Sequence, residues 1–285
     1  MNKLTVIVGL CVFILSSISY AQDYTVRKVP EDQLPKDVVS SFRRNVADSK
    51  IYPWRAIGRV NVGGTAHCTG SLVADNIVLT AAHCLYSKSL QTMVPANMVH
   101  FLAGYAHGDY AAHSRVIAYE TGPGFNGNDG ANTANMPHDW ALLILSEPIG
   151  IELGHLEFHS ALTTAVSRSI NGRNKRAVLS TSKIAAAGYP QDRAHVLSVE
   201  KNCRIVNAFN KGAVLVTSCL SIQGDSGGPI LQESGDDWVL VGLQTAAAQR
   251  GRVRSSIGVS ALAFIRTFTS LTAVTNTETP APSEP

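Results

Sequence analysis

Three short segments of the chain combine residue types that together can break an acyl bond. They are TAAHC at residues 80–84, HDWALL at residues 138–143 and GDSGGP at residues 224–229. A serine hydroxyl is a weak nucleophile unless a base takes its proton, and a histidine base needs an acceptor that fixes its tautomer. His83, Asp139 and Ser226 supply one group for each role. The combination predicts acyl transfer through a serine nucleophile.

The surroundings of Ser226 support this interpretation. Three glycines and a proline flank the serine, which excludes a helix or a regular central strand there. Glycines let two backbone N–H groups turn toward one point, where they stabilise the charge that develops on an attacked carbonyl. Taken singly, each segment has an ordinary explanation: a structural turn, a core or surface histidine, and a strand-end aspartate. Their combination favours a catalytic site.

The composition is that of a globular protein with a sizeable core. The chain has 285 residues, of which 45% are hydrophobic, enough for one large domain or two small ones. The formal net charge is only +3 and no dense Lys/Arg run is present, so a nucleic-acid partner is not expected. The histidine spacings contain no metalloprotease pattern, so neither a metal nor another cofactor is expected.

The first 21 residues have the features of a signal peptide. A short positive start precedes an apolar run over residues 4–18, and small residues mark a cleavage site after Ala21. An uncleaved anchor is the alternative, but the run is short for a bilayer span, so no stable membrane anchor is expected. The mature protein is therefore predicted to be secreted or periplasmic.

The segment that follows, residues 22–50, lacks a regular period and is predicted to be a leader or propeptide. It contains the dibasic pair Arg43-Arg44, a candidate processing site. At the other end, residues 272–285 are rich in Thr, Pro, Ala, Ser and Glu and are predicted to be disordered.

Between these segments, short apolar runs of strand length are separated by Gly, Asn and Asp. The runs are 56–60, 70–73, 77–80, 98–103, 141–145, 177–180, 183–187, 196–199, 213–217, 238–245 and 256–260. They form two successive groups of about six, which predict two small β-barrels over residues 51–155 and 156–271. The second barrel is predicted to end in a helix over residues 261–271.

Of the five cysteines, Cys11 lies in the apolar run and would leave with it, so four remain after export. Export places them where disulfides persist, and four cysteines allow three pairings. The pairing that closes two short loops is favoured, namely Cys68–Cys84 and Cys203–Cys219. The chain contains no C-x-x-C pair, which argues against a zinc site.

In the order His, Asp, Ser, the three segments resemble the chymotrypsin-like serine proteases. That family carries its base in TAAHC, its acid in D-x-x-L-L and its nucleophile in GDSGGP, and the resemblance covers roughly residues 52–268. It implies an all-β fold of two six-stranded antiparallel barrels, with the site between them. It also implies that His83 is the general base and acid, that Asp139 orients it, and that Ser226 attacks. The N–H groups of Gly224 and Ser226 would form the oxyanion hole.

The same resemblance indicates the substrate pocket. Its expected lining is Leu220 at the base, with Ser221, Thr245, Ala246, Ala247 and Gly258 as walls. Because Leu220 is not acidic, trypsin-like binding of Lys or Arg is not expected, and an apolar or small polar side chain is favoured. Glutamate selectivity through Thr245 and a histidine such as His195 stays open. The position of Cys219, seven residues before Ser226, resembles that of a cysteine in bacterial secreted members of the family, including those related to glutamyl endopeptidases.

One departure from the family concerns Asp225, which precedes the nucleophile. Animal digestive members pair this aspartate with the freed amine of an I-V-G-G start, and no such start precedes Tyr52. Asp225 is therefore expected to be satisfied in another way, and zymogen activation of that kind is not expected.

The resulting hypothesis is a secreted serine endopeptidase whose partners are protein or peptide substrates, with an inhibitor protein as a further candidate. The alternative is a non-catalytic binding protein on a protease fold, although such proteins have usually lost a triad residue. Esterase activity is expected only as a side activity, since α/β-hydrolases order their triad Ser, Asp, His.

Overall fold

The computed structural model describes residues 44–158, 183–235, 237–250 and 253–277. In chain order the strands are β1 (Asn45–Val46), β2 (Ile57–Val62), β3 (Ala66–Ala74), β4 (Ile77–Thr80), β5 (Tyr86–Ser87), β6 (Thr92–Met93), β7 (Val99–Ala103), β8 (Ala112–Thr121), β9 (Ala141–Leu145), β10 (Ile184–Gly188), β11 (Ser198–Cys203), β12 (Ile205–Phe209), β13 (Val214–Thr217), β14 (Pro229–Ser234), β15 (Asp237–Arg250) and β16 (Val253–Ser260). The α-helices are α1 (Gly150–Leu153) and α2 (Ile265–Thr277). The predicted strand at 177–180 lies outside the described residues.

The first half forms a closed antiparallel barrel of six strands in the order β2-β3-β4-β9-β8-β7, which confirms the predicted N-terminal barrel. β4 and β9 begin and end where the apolar runs predicted. Val60, Leu79 and Phe101 are fully buried in its interior. Burial of each such side chain stabilises the fold by about 2 kcal/mol, which is why apolar runs of strand length specify the barrel.

The second half forms an antiparallel sheet of eight strands in the order β1-β11-β10-β14-β15-β16-β13-β12. Six strands were predicted for this half. The arm that precedes the first barrel adds β1 at one edge of the sheet. β12 is a further strand, separated from the end of β11 by Arg204 alone. One hydrophobic cluster continues from the barrel into this sheet and includes Leu143, Leu231 and Leu243.

The end of the predicted leader belongs to the folded structure. Residues 22–43 lie outside the described residues, but β1 pairs with β11, and the hydroxyl of Ser49 donates to the carbonyl of Gly104 at 3.0 Å. The folded chain thus begins before residue 51, the predicted start of the barrel. Arg44, half of the candidate processing pair, is only 8% exposed, because a buried acid binds its guanidinium. The structure therefore gives no support to cleavage after Arg44.

The C-terminal helix is present but extends further than predicted. A 3-10 turn over Ala261–Ala263 precedes α2, which continues through residues 272–277 of the predicted disordered tail. The rings of Phe264 and Phe268 pack against Phe158 at centroid distances of 5.9 and 4.8 Å, and this packing anchors the helix. Residues 278–285 and the predicted signal peptide lie outside the described residues. Within the part described, no helix is both long and apolar enough to cross a membrane.

Candidate active site

The end of one barrel strand and the start of its neighbour bring His83 and Asp139 together. β4 pairs with β9 so that Thr80 lies opposite Ala141. His83 lies in the 3-10 turn just after β4, and Asp139 ends another 3-10 turn just before β9. The His83 N–H donates to Asp139 Oδ1 at 2.9 Å, and His83 Nδ1 lies 2.7 Å from Asp139 Oδ2. Both carboxylate oxygens therefore hold the histidine, which fixes the orientation of its ring.

The loop that carries Ser226 packs against this barrel. The Ser226 carbonyl accepts a hydrogen bond from the Thr69 N–H at 2.8 Å, and Cys84 Sγ lies 3.9 Å from the same oxygen. The backbone of Ser226 thus lies beside the residue that follows His83. Ser226 is partly exposed, as its predicted role as the nucleophile requires.

The two proposed oxyanion donors, Gly224 and Ser226, flank a buried aspartate. Gly224 has φ +96°, and a Cβ there would lie 2.4 Å from the carbonyl oxygen of Tyr189, so the loop requires glycine at this position. Among the residues described, the N–H groups of Gly224 and Ser226 donate to no protein acceptor. Donors left free in this way are available to an oxyanion.

Thr69, on β3, holds the loop of residues 222–228, which carries Ser226 and is named the nucleophile loop after the predicted role of that serine. The sequence did not indicate this role of Thr69. Its hydroxyl donates to the Gly224 carbonyl at 2.8 Å and accepts from the Tyr189 N–H at 2.9 Å, and Thr69 is fully buried. One side chain of the first barrel thus satisfies two backbone groups from the second half of the chain, one in the loop that carries Ser226 and one just after β10. No sequence signal distinguishes this threonine from other strand threonines.

Replacing Thr69 with valine keeps the shape of the side chain but leaves the Gly224 carbonyl and the Tyr189 N–H without this partner. Each buried polar group that loses its partner costs about 1–3 kcal/mol. We expect the free energy of unfolding to fall by about 3 kcal/mol in urea denaturation. Thr65→Val is the control, because Thr65 is exposed. Equal stability of the two variants would contradict the role of the Thr69 hydroxyl.

Asp225 is fully buried and is held by Arg44. The Arg44 guanidinium donates to Asp225 Oδ1 at 2.9 Å and lies 2.8 Å from Oδ2, while the Ile222 N–H donates to Oδ2 at 2.9 Å. Burial raises the pKa of the carboxyl to about 6, and the nearby guanidinium opposes this rise. Asp225, for which the sequence indicates no particular partner, is thus paired with a guanidinium from the N-terminal arm.

The predicted pocket residues come from two places in the second half of the chain. Leu220 and Ser221, both buried, precede the nucleophile loop. The others lie on the paired strands β15 and β16: Thr245, Ala246, Ala247 and Gly258. The backbone N–H of Leu220 donates to Glu200 Oε2 at 2.8 Å, and its carbonyl accepts from Arg44. The base of the expected pocket is therefore fixed by polar contacts to its main chain.

His195, considered for glutamate selectivity, instead contacts Tyr105, which lies just after the barrel strand β7. Its Nδ1 lies 3.0 Å from the hydroxyl of Tyr105, whereas the hydroxyl of Thr245 donates to the Ile257 carbonyl at 3.4 Å. The sequence offered no signal for this contact, because Tyr105 and His195 are far apart in the chain. These two contacts give no support to a joint role of His195 and Thr245 in binding glutamate.

The structure contains the disulfides Cys68–Cys84 and Cys203–Cys219, the favoured pairing. The first links β3 to the turn that holds His83. Within the described part of the chain, the potential metal-ligand atoms of Cys68, His83 and Cys84 lie within 4.8 Å of one another. Because its two sulfur atoms are bonded to each other, this group offers only the imidazole of His83 to an ion.

The chain matches known proteins along most of its length. The model of the family described as Trypsin matches residues 44–264. Glutamyl endopeptidase of Bacillus licheniformis is 23% identical over 70% of this chain, a match that spans 56% of that protein's own length. Trypsin alpha of Drosophila erecta is 25% identical, over 81% of this chain and 86% of its own.

Solved structures agree in fold. A Glu endopeptidase in complex with MPD superposes with a TM-score of 0.63 at 20% identity, covering 81% of this chain and 96% of that one. The protease Anisep from Arthrobacter nicotinovorans gives a TM-score of 0.54 at 17% identity, covering 76% and 93%. Together with the family match over residues 44–264, the fold places this chain in the trypsin family of serine-type endopeptidases.

Proposed function

We propose that the chain is a secreted endopeptidase that hydrolyses peptide bonds through an acyl-enzyme intermediate on Ser226. The observation that carries the proposal is the double contact of His83 with the buried carboxylate of Asp139. The nucleophile loop packs beside the same histidine, against Cys84. An oriented base next to a partly exposed serine in a glycine-rich loop is the arrangement that acyl transfer needs.

In the first half of the reaction, Ser226 Oγ bonds to the scissile carbonyl carbon while His83 Nε2 takes the hydroxyl proton. The carbonyl electron pair moves to its oxygen, where the N–H groups of Gly224 and Ser226 stabilise the charge. When the carbonyl re-forms, the C–N bond breaks and the amine leaves with the proton from His83. Asp139 stabilises the imidazolium that exists between these steps.

In the second half, water takes the place of the amine. His83 accepts a proton from water as the oxygen attacks the acyl carbon, and it returns this proton to Ser226 Oγ when the ester bond breaks. The products are a peptide with a new carboxyl end and the enzyme in its starting state. No cofactor enters these steps.

The proposed substrates carry an apolar or small polar side chain at the residue before the cut. Leu220 at the pocket base offers no charge to a Lys or Arg side chain, and the walls at Ala246, Ala247 and Gly258 are small. A peptide-library cleavage profile checks this preference. A dominant cut after Lys or Arg would contradict it.

Export of the mature protein is supported by its two disulfides, which persist in oxidising compartments. Mass spectrometry of the protein recovered from culture medium or periplasm would give its mature start. Recovery only from the reducing cytosol, with free thiols, would contradict export.

The test of the catalytic proposal is covalent labelling with a fluorophosphonate probe. We expect the folded chain to take up one equivalent at Ser226, located by peptide mapping, and Ser226→Ala to take up none. Circular dichroism shows that the variant is folded. If the folded wild-type chain is not labelled and cuts no peptide of a broad library, a binding protein on a protease fold is the better description.

A further inference from the structure

The carboxylate of Asp225 lies at a point where a small movement would disturb catalysis. It is fully buried, and its residue lies between Gly224 and Ser226, whose N–H groups are the proposed oxyanion donors. An unpaired carboxylate is costly to keep inside a protein. Without a cation it would turn toward water or become protonated, and either change would act on the backbone on both sides of it.

Arg44 supplies that cation and also holds a second part of the site. One nitrogen of its guanidinium contacts both oxygens of Asp225, at 2.9 and 2.8 Å, and the other nitrogen donates to the Leu220 carbonyl. The side chain of Arg44 is 6% exposed. A planar guanidinium can bond two acceptors at fixed angles. This single side chain therefore connects the nucleophile loop, through Asp225, to the expected base of the pocket at Leu220.

The N-terminal arm holds Arg44 in place by contacts of its own. Asn45 lies opposite Val199 in the sheet, the Ala47 N–H donates to the Leu197 carbonyl at 2.9 Å, and Arg193 donates to the Arg44 carbonyl at 3.3 Å. The guanidinium is therefore delivered by a segment that pairs with the second sheet, outside the barrel strands that carry His83 and Asp139.

We infer that Arg44 is a positioning residue for the reaction: it keeps Asp225 inside the protein and thereby fixes the N–H groups of Gly224 and Ser226. The inference rests on the proposed function. If the inference holds, the N-terminal arm itself supplies the cation for Asp225. The nucleophile loop is then ordered without an α-amine that cleavage of the chain would free.

The first readout is the reaction of Ser226 with the fluorophosphonate probe, separated into its binding constant KI and its maximal rate kinact. For Arg44→Gln we expect kinact to fall about 100-fold, the usual effect of losing an oxyanion donor, with KI changed less than about threefold. Arg44→Lys keeps a charge but replaces the two donor nitrogens of the planar fork with one, so its kinact should fall about tenfold. Lys50→Gln, an exposed cation of the same arm, is the control and should react like the wild type.

The second readout is stability against pH. The pKa of Asp225 in the folded chain, about 6, exceeds its ordinary value of 3.8, so its contribution to stability is greatest in acid and falls as the pH rises through 6. Removing Arg44 raises this pKa further, while the charge of Asp192 acts in the same direction. Arg44→Gln should therefore lose more stability relative to the wild type at pH 8 than at pH 5. In an Asp225→Asn background this pH-dependent gap should vanish.

The outcomes separate the two claims. If the wild-type chain is not labelled at Ser226, the proposed function fails. If the wild type is labelled and Arg44→Gln reacts at the same kinact, the positioning role of Arg44 is overturned. If Arg44→Gln does not fold, Arg44→Lys decides, and an unchanged kinact in that variant also overturns the inference.

Discussion

Replacing Asp139 with asparagine is expected to lower kcat by about 10⁴-fold while KM changes little. The amide keeps the shape of the carboxylate, and its oxygen can still accept the His83 backbone N–H, a bond that is 2.9 Å long in the wild type. Its NH₂ group then faces His83 Nδ1, which lies 2.7 Å from the replaced oxygen. An NH₂ group there requires Nδ1 to be an acceptor, so the ring proton moves to Nε2. A protonated Nε2 cannot take the proton of Ser226, and the wrong tautomer in other triads costs about 10⁴ in kcat.

Steady-state cleavage of the best peptide from the library gives kcat and KM for this variant. Asp129→Asn makes the same change at an exposed position on the loop that leads to Asp139, and it should keep the wild-type kcat. A loss that appears mainly in KM would mean that Asp139 shapes the substrate site instead of the histidine. A loss below about tenfold would remove Asp139 from the proposed mechanism.

The sequence predicted the parts of the fold that are built from apolar runs. β4 and β9 match their predicted ends because every residue in both runs is apolar except Thr80, and all but one are buried. β8 was missed because polar and apolar residues mix along it and only Ser114 and Val116 are buried in its middle. β14 was missed because a proline opens it, directly after the glycines of the nucleophile loop. Local pattern thus predicts strands that consist of one apolar run, and it fails where polar residues interrupt the run or a proline opens the strand.

The sequence also predicted which residues carry the proposed chemistry, but not what positions them. His83 and Ser226 stand in segments that are highly specific when paired, and Asp139 stands in a motif that is weak on its own. Arg44 was noted only as half of a dibasic pair and Thr69 stands in no motif. Their roles depend on contacts 181 and 155 residues away in the chain. The partner of Asp225 was left open because a cation for a buried acid can come from any segment that reaches it. Contacts of that range are a property of the fold and leave no local pattern.

The second large effect is expected at Gly227, where the nucleophile loop meets the first barrel. Its φ is +82°, and a Cβ at this position would lie 2.1 Å from Thr80 Oγ1 and 2.2 Å from the Thr69 carbonyl oxygen. Real side chains do not approach backbone so closely, so Gly227→Ala must push the loop and the barrel apart. We expect the free energy of unfolding to fall by about 4 kcal/mol, a size reserved for strained or overpacked sites.

The matched control for this prediction is Gly63→Ala. Gly63 also has a positive φ, +58°, but a Cβ there would meet no atom within 4 Å. Its alanine variant therefore carries only the left-handed backbone penalty of about 1 kcal/mol. Urea denaturation gives the free energy of unfolding of both variants. Because both carry the left-handed backbone penalty, the difference between them measures the cost of the clash with Thr69 and Thr80. Fluorophosphonate labelling measures the effect on the proposed site. A displaced loop carries Ser226 away from His83, so Gly227→Ala should react far more slowly than the wild type, whereas Gly63→Ala should react at the wild-type rate. Equal stability and equal labelling of the two variants would mean that the loop does not rest on Thr69 and Thr80, and the geometry proposed for the site would lose its support from the first barrel.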